Sequence, residues 1–223
     1  MRSFLTFAAA LALAATSIAD GWLLKAPYDA KTKLTWNVTV NVNINGQDHE
    51  AKFKDVLTIN SKTDKEVKGS GTWTDLTLDG NEGGGGGDPP QWEMAFNPNG
   101  SISSAGDSAD YPRMLAPLTF VYPGKEIKTG DKWTEKFKPK DGKDITIDYE
   151  AVEESKVGDT DVIKIKGKYR EDGPTMGDVA YWLAKDGTLV KFEADLKSWI
   201  VALPNGPGEV DARIKGEIAK AKS

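Results

Sequence analysis

The stretch from Thr35 to Ile44 reads Thr-Trp-Asn-Val-Thr-Val-Asn-Val-Asn-Ile, in which polar and apolar side chains alternate strictly. A period of two is typical of a β-strand with one buried face and one face in water. Asn45 and Gly46 follow as a tight-turn dipeptide, and apolar residues then return at alternate positions from Phe53. The pattern predicts a β-hairpin, the first of a series.

Within the returning strand, Asp55 falls in phase with the apolar positions. Either a β-bulge shifts the register there or the carboxylate points inward, and we expect the bulge because it is the commoner event. Gly69 and Gly71 leave space on one face of the next strand for a bulky neighbour or a ligand, and we expect the neighbour. The apolar positions then change parity, which predicts a bulge near Thr74 and Asp75.

The same alternation recurs in the second part of the chain, from Trp133 onward, with turn signals such as Asp141 and Gly142. A change of parity at Trp199 predicts another bulge. We therefore expect an all-β domain spanning 20–223, built of two weakly similar halves at about 34–104 and 132–220. Its fold class is a single, strongly curved antiparallel sheet of about eleven strands, a half-barrel or barrel.

A proline-rich connector separates the two halves. Pro112, Pro117 and Pro123 each fix φ and remove a backbone donor, so residues 111–124 can form neither a long helix nor an inner strand. The connector is nevertheless the most apolar part of the chain after its leader. We interpret residues 111–124 as a segment buried in the core, called the plug below.

The first nineteen residues have the pattern of a signal peptide. Arg2 precedes an apolar run, and small residues before Asp20 predict cleavage there. The run is shorter than the ~20 residues that span a bilayer, and we expect no integral membrane span. The protein is therefore expected to be exported, periplasmic or extracellular.

The composition excludes two further classes of protein. The chain has no cysteine, so it has neither a disulfide nor a lipidated cysteine. Its net charge of −5, with positive and negative residues interleaved, argues against nucleic-acid binding.

Residues that could carry catalysis are few. His49 is the only histidine and lies beside a tight turn, which excludes a serine or cysteine triad elsewhere. The glycine run at 83–87 lacks the lysine and Ser/Thr of a phosphate-binding loop, and the acids around it lack calcium-loop spacing. Pairs such as Glu153 with Glu154 are adjacent only in sequence, which does not define a glycosidase site. We predict no catalytic residue, no metal and no cofactor.

The aromatic residues remain as a candidate site. The chain has seven Trp, six Tyr and seven Phe, and in half-buried sheets such side chains form either a core or the lining of an apolar cavity. The candidate lining residues for an apolar small molecule or lipid are Phe53, Trp73, Trp92, Phe96, Phe120, Tyr149, Tyr181 and Phe192. Two alternatives stay open. One is an envelope protein that binds a protein partner through the glycine run or the last strand from Val210, and the other is a glycan-binding or glycan-active domain with exposed tryptophans.

The signal peptide, the meander and the plug ending in Tyr122-Pro123-Gly124, followed by Gly130-Asp131-Lys132-Trp133, resemble uncharacterised secreted bacterial β-domains. More remotely, the chain resembles the half-barrel superfamily of outer-membrane lipoprotein carriers. That resemblance implies a curved antiparallel sheet that holds acyl chains beneath helical lids. The chain departs from it in having almost no helix, beyond a turn or two at 109–115, and no functional residue is carried over.

Overall fold

The structure is a computed structural model that describes residues 21–44, 46–82, 91–107, 109–203 and 206–219. The predicted signal peptide at 1–19 and the glycine run at 83–87 lie outside the described residues.

The described residues form fourteen β-strands, one short α-helix and one 3₁₀ helix. In chain order, the elements are β1 (Trp22–Leu23), β2 (Lys33–Ile44), β3 (Gln47–Lys62), β4 (Val67–Leu78), β5 (Asn81–Glu82), β6 (Gln91–Phe96), β7 (Ile102–Ala105), α1 (Asp110–Leu115), the 3₁₀ helix (Ala116–Leu118), β8 (Glu126–Ile127), β9 (Lys132–Phe137), β10 (Ile145–Val157), β11 (Thr160–Glu171), β12 (Met176–Ala184), β13 (Leu189–Leu203) and β14 (Gly206–Ile218).

One large antiparallel sheet dominates the fold, as the alternation predicted. Its strand order is β7-β6-β4-β3-β2-β14-β13-β12-β11-β10-β9, with β5 beside β4, while β1 pairs separately with β8. Each half of the chain forms a meander, and the two meanders join where Val40 on β2 pairs with Ile214 on β14. The last strand is therefore paired on both sides, with β13 and with β2, and its proposal as an exposed edge from Val210 was wrong.

The sheet is open but strongly curled. Phe96 on β6 and Phe192 on β13 line one small cavity, although four strands lie between theirs in the sheet order. The two edge strands, β7 and β9, are not paired with each other in the described chain. They are linked at one end, since the backbone N–H of Lys140, after β9, donates to the carbonyl of Ser103 on β7 at 2.7 Å.

Both bulges predicted from changes of parity are confirmed. The β3–β4 register shifts opposite Asp75, whose φ is 55°, and the β13–β14 register shifts at Ser198, whose φ is 47°. An extra residue in one strand moves the following side chains to the other face, which is why the apolar parity reverses at each site. Asp tolerates the left-handed region better than most other residues with a side chain do.

The plug is present as the sequence predicted and packs on the inner face of the sheet. It consists of α1, the 3₁₀ helix and an extended stretch, and its large side chains are almost fully buried, with Phe120 and Val121 only 1% exposed. Together with Trp22 and Leu24 near the start of the described chain, it forms one continuous core with the sheet. None of the described helices reaches the length and apolarity that crossing a bilayer requires.

Candidate functional site

The plug is tethered to the inner face by a few directed hydrogen bonds. The Trp199 indole N–H donates to the Met114 carbonyl at 3.0 Å, and the Tyr181 hydroxyl donates to the Pro117 carbonyl at 2.8 Å. The Pro117 carbonyl lies where the helical turns give way to extended chain, so it lacks a helical partner and takes a side-chain donor. These bonds hold α1 and the 3₁₀ helix across the second half of the sheet.

An ion pair fixes the start of the plug. Arg113 Nη2 lies 2.6 Å from Glu171 Oε1, and Arg113 Nη1 lies 2.9 Å from Asp110 Oδ1. The Glu171 side chain is fully buried, and its hydrogen bond raises the pKa of the Arg113 guanidinium. A buried carboxylate needs such a partner, so this pair orients α1 over the end of β11.

A cavity of about 50 Å³ remains between the plug and the first half of the sheet. Its walls come from β2, β3, β6 and β13, from the plug, and from the chain before β2. The lining residues are Pro27, Tyr28, Leu34, Trp36, Asp55, Leu57, Trp92, Met94, Phe96, Leu115, Leu118, Thr119, Phe120, Tyr122, Leu189 and Phe192. Ligand pockets usually measure about 300–1,000 Å³, so the plug occupies most of the space that the curled sheet encloses.

Asp55 is the exception in this apolar wall. It lies on β3 between Trp36 on β2 and Trp73 on β4, is half-buried, and lines the cavity. Our expectation that a bulge would turn it outward was wrong, because the bulge at Asp75 lies beyond it and leaves it in phase with Leu57. Burial raises the pKa of Asp55 to about 7, and a hydrogen bond from the Trp73 side chain offsets part of that effect.

Gly71 leaves the space that the Trp92 side chain occupies in the cavity wall. A Cβ at Gly71 would collide with the indole of Trp92, so the ring lies flat against the β4 backbone. The space predicted beside Gly69 and Gly71 is thus filled by a neighbour, as expected. The Trp92 indole N–H is buried and has no hydrogen-bond partner within the described part of the protein.

The eight predicted lining residues fall into three groups. Trp92, Phe96, Phe120 and Phe192 line the cavity. Phe53 and Trp73 continue the aromatic wall behind Trp92, with ring centroids 4.5 Å apart for Phe53–Trp73 and 5.1 Å apart for Trp73–Trp92. Tyr149 and Tyr181 pack against Phe120 on the side toward the second half, at 5.2 and 5.3 Å.

Sequence reasoning missed several cavity residues. Asp55 was noticed for its parity but not placed in the site, although that same parity was the signal that it points inward. Trp36 could have been found from the alternation of β2, which puts it on the inner face. Leu115 and Leu118 gave no such signal, because their positions depend on how the plug crosses the sheet.

The remaining polar candidates lie on the surface. His49 Nδ1 is 2.8 Å from the Asp79 carboxylate, and this contact holds the pKa of Asp79 below its usual value. Glu153 lies 3.3 Å from Lys164 in an ion pair. No group of three or more His, Cys, Asp or Glu side chains in the described ranges could hold a metal ion.

All seven tryptophans are buried or half-buried in the structure. Trp182, the one on the outer face, is covered by Lys164 and Lys191, whose ammonium groups lie 5.1 and 4.4 Å from the centre of its ring. The glycan-binding alternative needs exposed tryptophans and gains no support from this arrangement.

No known protein family and no curated protein matches the sequence. Among solved structures, the chain is similar to a protein from Bacteroides fragilis named as exported with a YmcC-like fold, at 17% identity and a TM-score of 0.41, covering 89% of this chain and 100% of that one. It is similar to a DUF1329 family protein from Desulfovibrio piger at 12% identity and a TM-score of 0.25, covering 86% of each chain. A domain from Vibrio parahaemolyticus, named for outer-membrane lipoprotein sorting, matches at 7% identity and a TM-score of 0.22, covering 87% of this chain and 86% of that one. All three TM-scores lie below 0.5, and these matches carry no argument about function.

Proposed function

We propose that the protein is an exported, non-catalytic binding protein that holds a lipid or another apolar molecule in its concave face, beneath the plug. The observation that carries this proposal is the cavity of about 50 Å³ between plug and sheet, which the core side chains leave unfilled. A chain that needed only a core would gain from closing such a space, because unfilled volume forfeits packing energy.

The cavity becomes large enough for a ligand if the plug moves away from the inner face of the sheet. Leu115, Leu118 and Phe120 extend from the plug into the space that a ligand would take. Displacing them exchanges apolar contacts within the protein for apolar contacts with the ligand, so the hydrophobic cost of opening is largely recovered on binding. The directed bonds of the plug to the sheet are lost in that exchange and set the energy of opening.

Mass measurement tests the binding directly. Native mass spectrometry of protein purified without detergent is expected to show a bound mass in addition to that of the chain. A fluorescent fatty acid is expected to be taken up with saturation and to report an apolar environment. A bare mass together with no uptake would eliminate the proposal.

The role of the plug is tested by weakening one tether. Tyr181→Phe removes the hydrogen bond to the Pro117 carbonyl but keeps the ring, so opening becomes easier and affinity for the fatty acid should rise. A net hydrogen bond contributes about 0.5–1.5 kcal/mol, which corresponds to a gain of roughly two- to tenfold.

Tyr169→Phe is the matched control. The Tyr169 hydroxyl is also buried, on the neighbouring strand, but has no hydrogen-bond partner among the described residues. Its removal should leave the affinity unchanged. Equal affinities for the two variants would show that the plug is not displaced by the ligand.

A further inference from the structure

We propose that Asp55 anchors the polar end of the ligand, and that the concave face takes an apolar molecule ending in an uncharged hydroxyl group. This inference rests on the proposed function and specifies its ligand class. It starts from the position of Asp55, a carboxyl group on the wall of a cavity otherwise lined almost entirely by apolar and aromatic side chains.

On the sheet side of the cavity, the unpartnered Trp92 indole N–H lies against Gly71, and on the plug side the side-chain hydroxyls are already used. The Thr119 hydroxyl donates to the Leu115 carbonyl at 3.1 Å, and the Tyr122 hydroxyl donates to the Gly187 carbonyl at 2.8 Å. Asp55 has two oxygens with several acceptor sites, and the Trp73 side chain supplies one bond. Acceptor capacity is therefore left at Asp55, facing the place where a ligand would lie.

Asp55 is costly if it has only a structural role. A carboxyl group taken out of water is penalised unless it is paired, and no lysine or arginine lines the cavity. Lys54, the adjacent residue on β3, is instead paired with Asp75 on the outer face. A ligand that offers a hydrogen-bond donor would therefore give the Asp55 carboxyl a second partner, in addition to the Trp73 side chain.

The charge state of the site selects the hydroxyl group. With its pKa raised to about 7, Asp55 exists in both protonation states near neutral pH. A hydroxyl donates to the ionised form and accepts from the protonated form, so it suits both. A ligand carboxylate would place a second negative charge beside the first, and an ammonium would have to lose its own hydration in the apolar cavity.

No other side chain of the cavity titrates in the same range. Tyr28 and Tyr122 are the remaining ionisable residues in its wall, and burial raises the pKa of both above the ordinary tyrosine value. The strands that flank Asp55 present Trp36 and Trp73 to it, which do not titrate. A pH dependence of ligand choice near neutrality therefore reports on Asp55.

Competition between ligands of equal chain length tests the assignment. The uncharged probe N-phenylnaphthylamine is bound to the protein and displaced at about pH 8 by dodecanol, dodecanoate or dodecylamine. The concentration of dodecanol that displaces half of the probe is expected to be at least about tenfold lower than that of dodecanoate. A tenfold difference corresponds to ~1.4 kcal/mol of binding free energy. The preference should shrink at about pH 6, where Asp55 is mostly protonated while the ligand carboxyl, with an ordinary pKa of roughly 4.3, stays ionised.

Asp55→Asn keeps the shape and removes the charge, and should bring dodecanol and dodecanoate within about threefold of each other. Asp75→Asn is the matched control, an exposed acid of the adjacent strand that faces outward, and should keep the tenfold preference.

The outcomes separate the two proposals. If the probe does not bind and no ligand displaces anything, the proposed function itself fails. If all three ligands bind but dodecanol and dodecanoate compete equally, apolar binding stands and the anchoring role of Asp55 is refuted. Tightest binding of dodecylamine would replace the hydroxyl assignment with a cation.

Discussion

Replacing Asp55 by Asn should change how the stability of the protein depends on pH. Burial raises the pKa of this carboxyl from 3.8 to about 7 in the folded protein. The native state therefore holds the proton more tightly than the unfolded state, and the stabilisation is fully present below about pH 4. It is lost as pH rises through about 7, because the folded protein must then bury a charge.

The size of the effect follows from the same pKa difference. One pKa unit corresponds to ~1.4 kcal/mol, so Asp55 should cost the wild-type protein about 4 kcal/mol of unfolding free energy between pH 4 and pH 8. Asn has the same size and does not titrate. Relative to wild type, Asp55→Asn should gain stability over this range by about that amount, with the gain concentrated between pH 5 and pH 7.

Urea unfolding followed by tryptophan fluorescence, at intervals from about pH 4 to pH 8, measures this difference. Carboxyl groups whose pKa is lowered, such as Asp148 and Asp211, act in the opposite direction but are shared by both proteins and cancel. Asp75→Asn should give a curve parallel to wild type. A difference between Asp55→Asn and wild type that stays constant within ~1 kcal/mol from pH 4 to pH 8 would refute the inward-facing carboxyl with a raised pKa.

Two further substitutions test the packing around the plug. Gly71→Ala should destabilise the protein by about 1–3 kcal/mol, because the new methyl group displaces the Trp92 indole. The control Ser70→Ala, on the other face of the strand, should change stability by less than ~0.5 kcal/mol. Equal effects of the two substitutions in urea unfolding would contradict the close packing of the Trp92 indole on Gly71. Arg113→Met should cost about 3–5 kcal/mol, because it leaves the buried Glu171 carboxylate without a partner, and adding Glu171→Leu should recover most of that loss. A double variant as unstable as Arg113→Met alone would show that the ion pair is not what the single substitution breaks.

The local features of the sheet could be predicted because they depend on neighbouring residues. Side chains alternate across a pleated strand, so the pattern of Thr35 to Ile44 indicated both the strand and its buried face. The reversals of parity near Asp75 and Trp199 indicated bulges, because an extra residue is the way a strand changes face. The same logic, applied strictly, would have placed Asp55 inward.

The pairing of distant strands was not encoded in any local pattern. β2 and β14 join the two meanders across most of the chain length, which turned the last strand from a supposed edge into the middle of the sheet. Strand alternation says which face is buried but not which strand lies alongside, since either neighbour satisfies the same backbone groups.

The amino-acid order was thus sufficient for an all-β chain with a buried, proline-broken connector, because alternation and proline chemistry act over a few residues. Whether that connector filled the curved sheet or left room depended on the sum of many side-chain volumes brought together from distant segments. Only the folded chain shows the outcome, a cavity of about 50 Å³ with the Asp55 carboxyl on its wall.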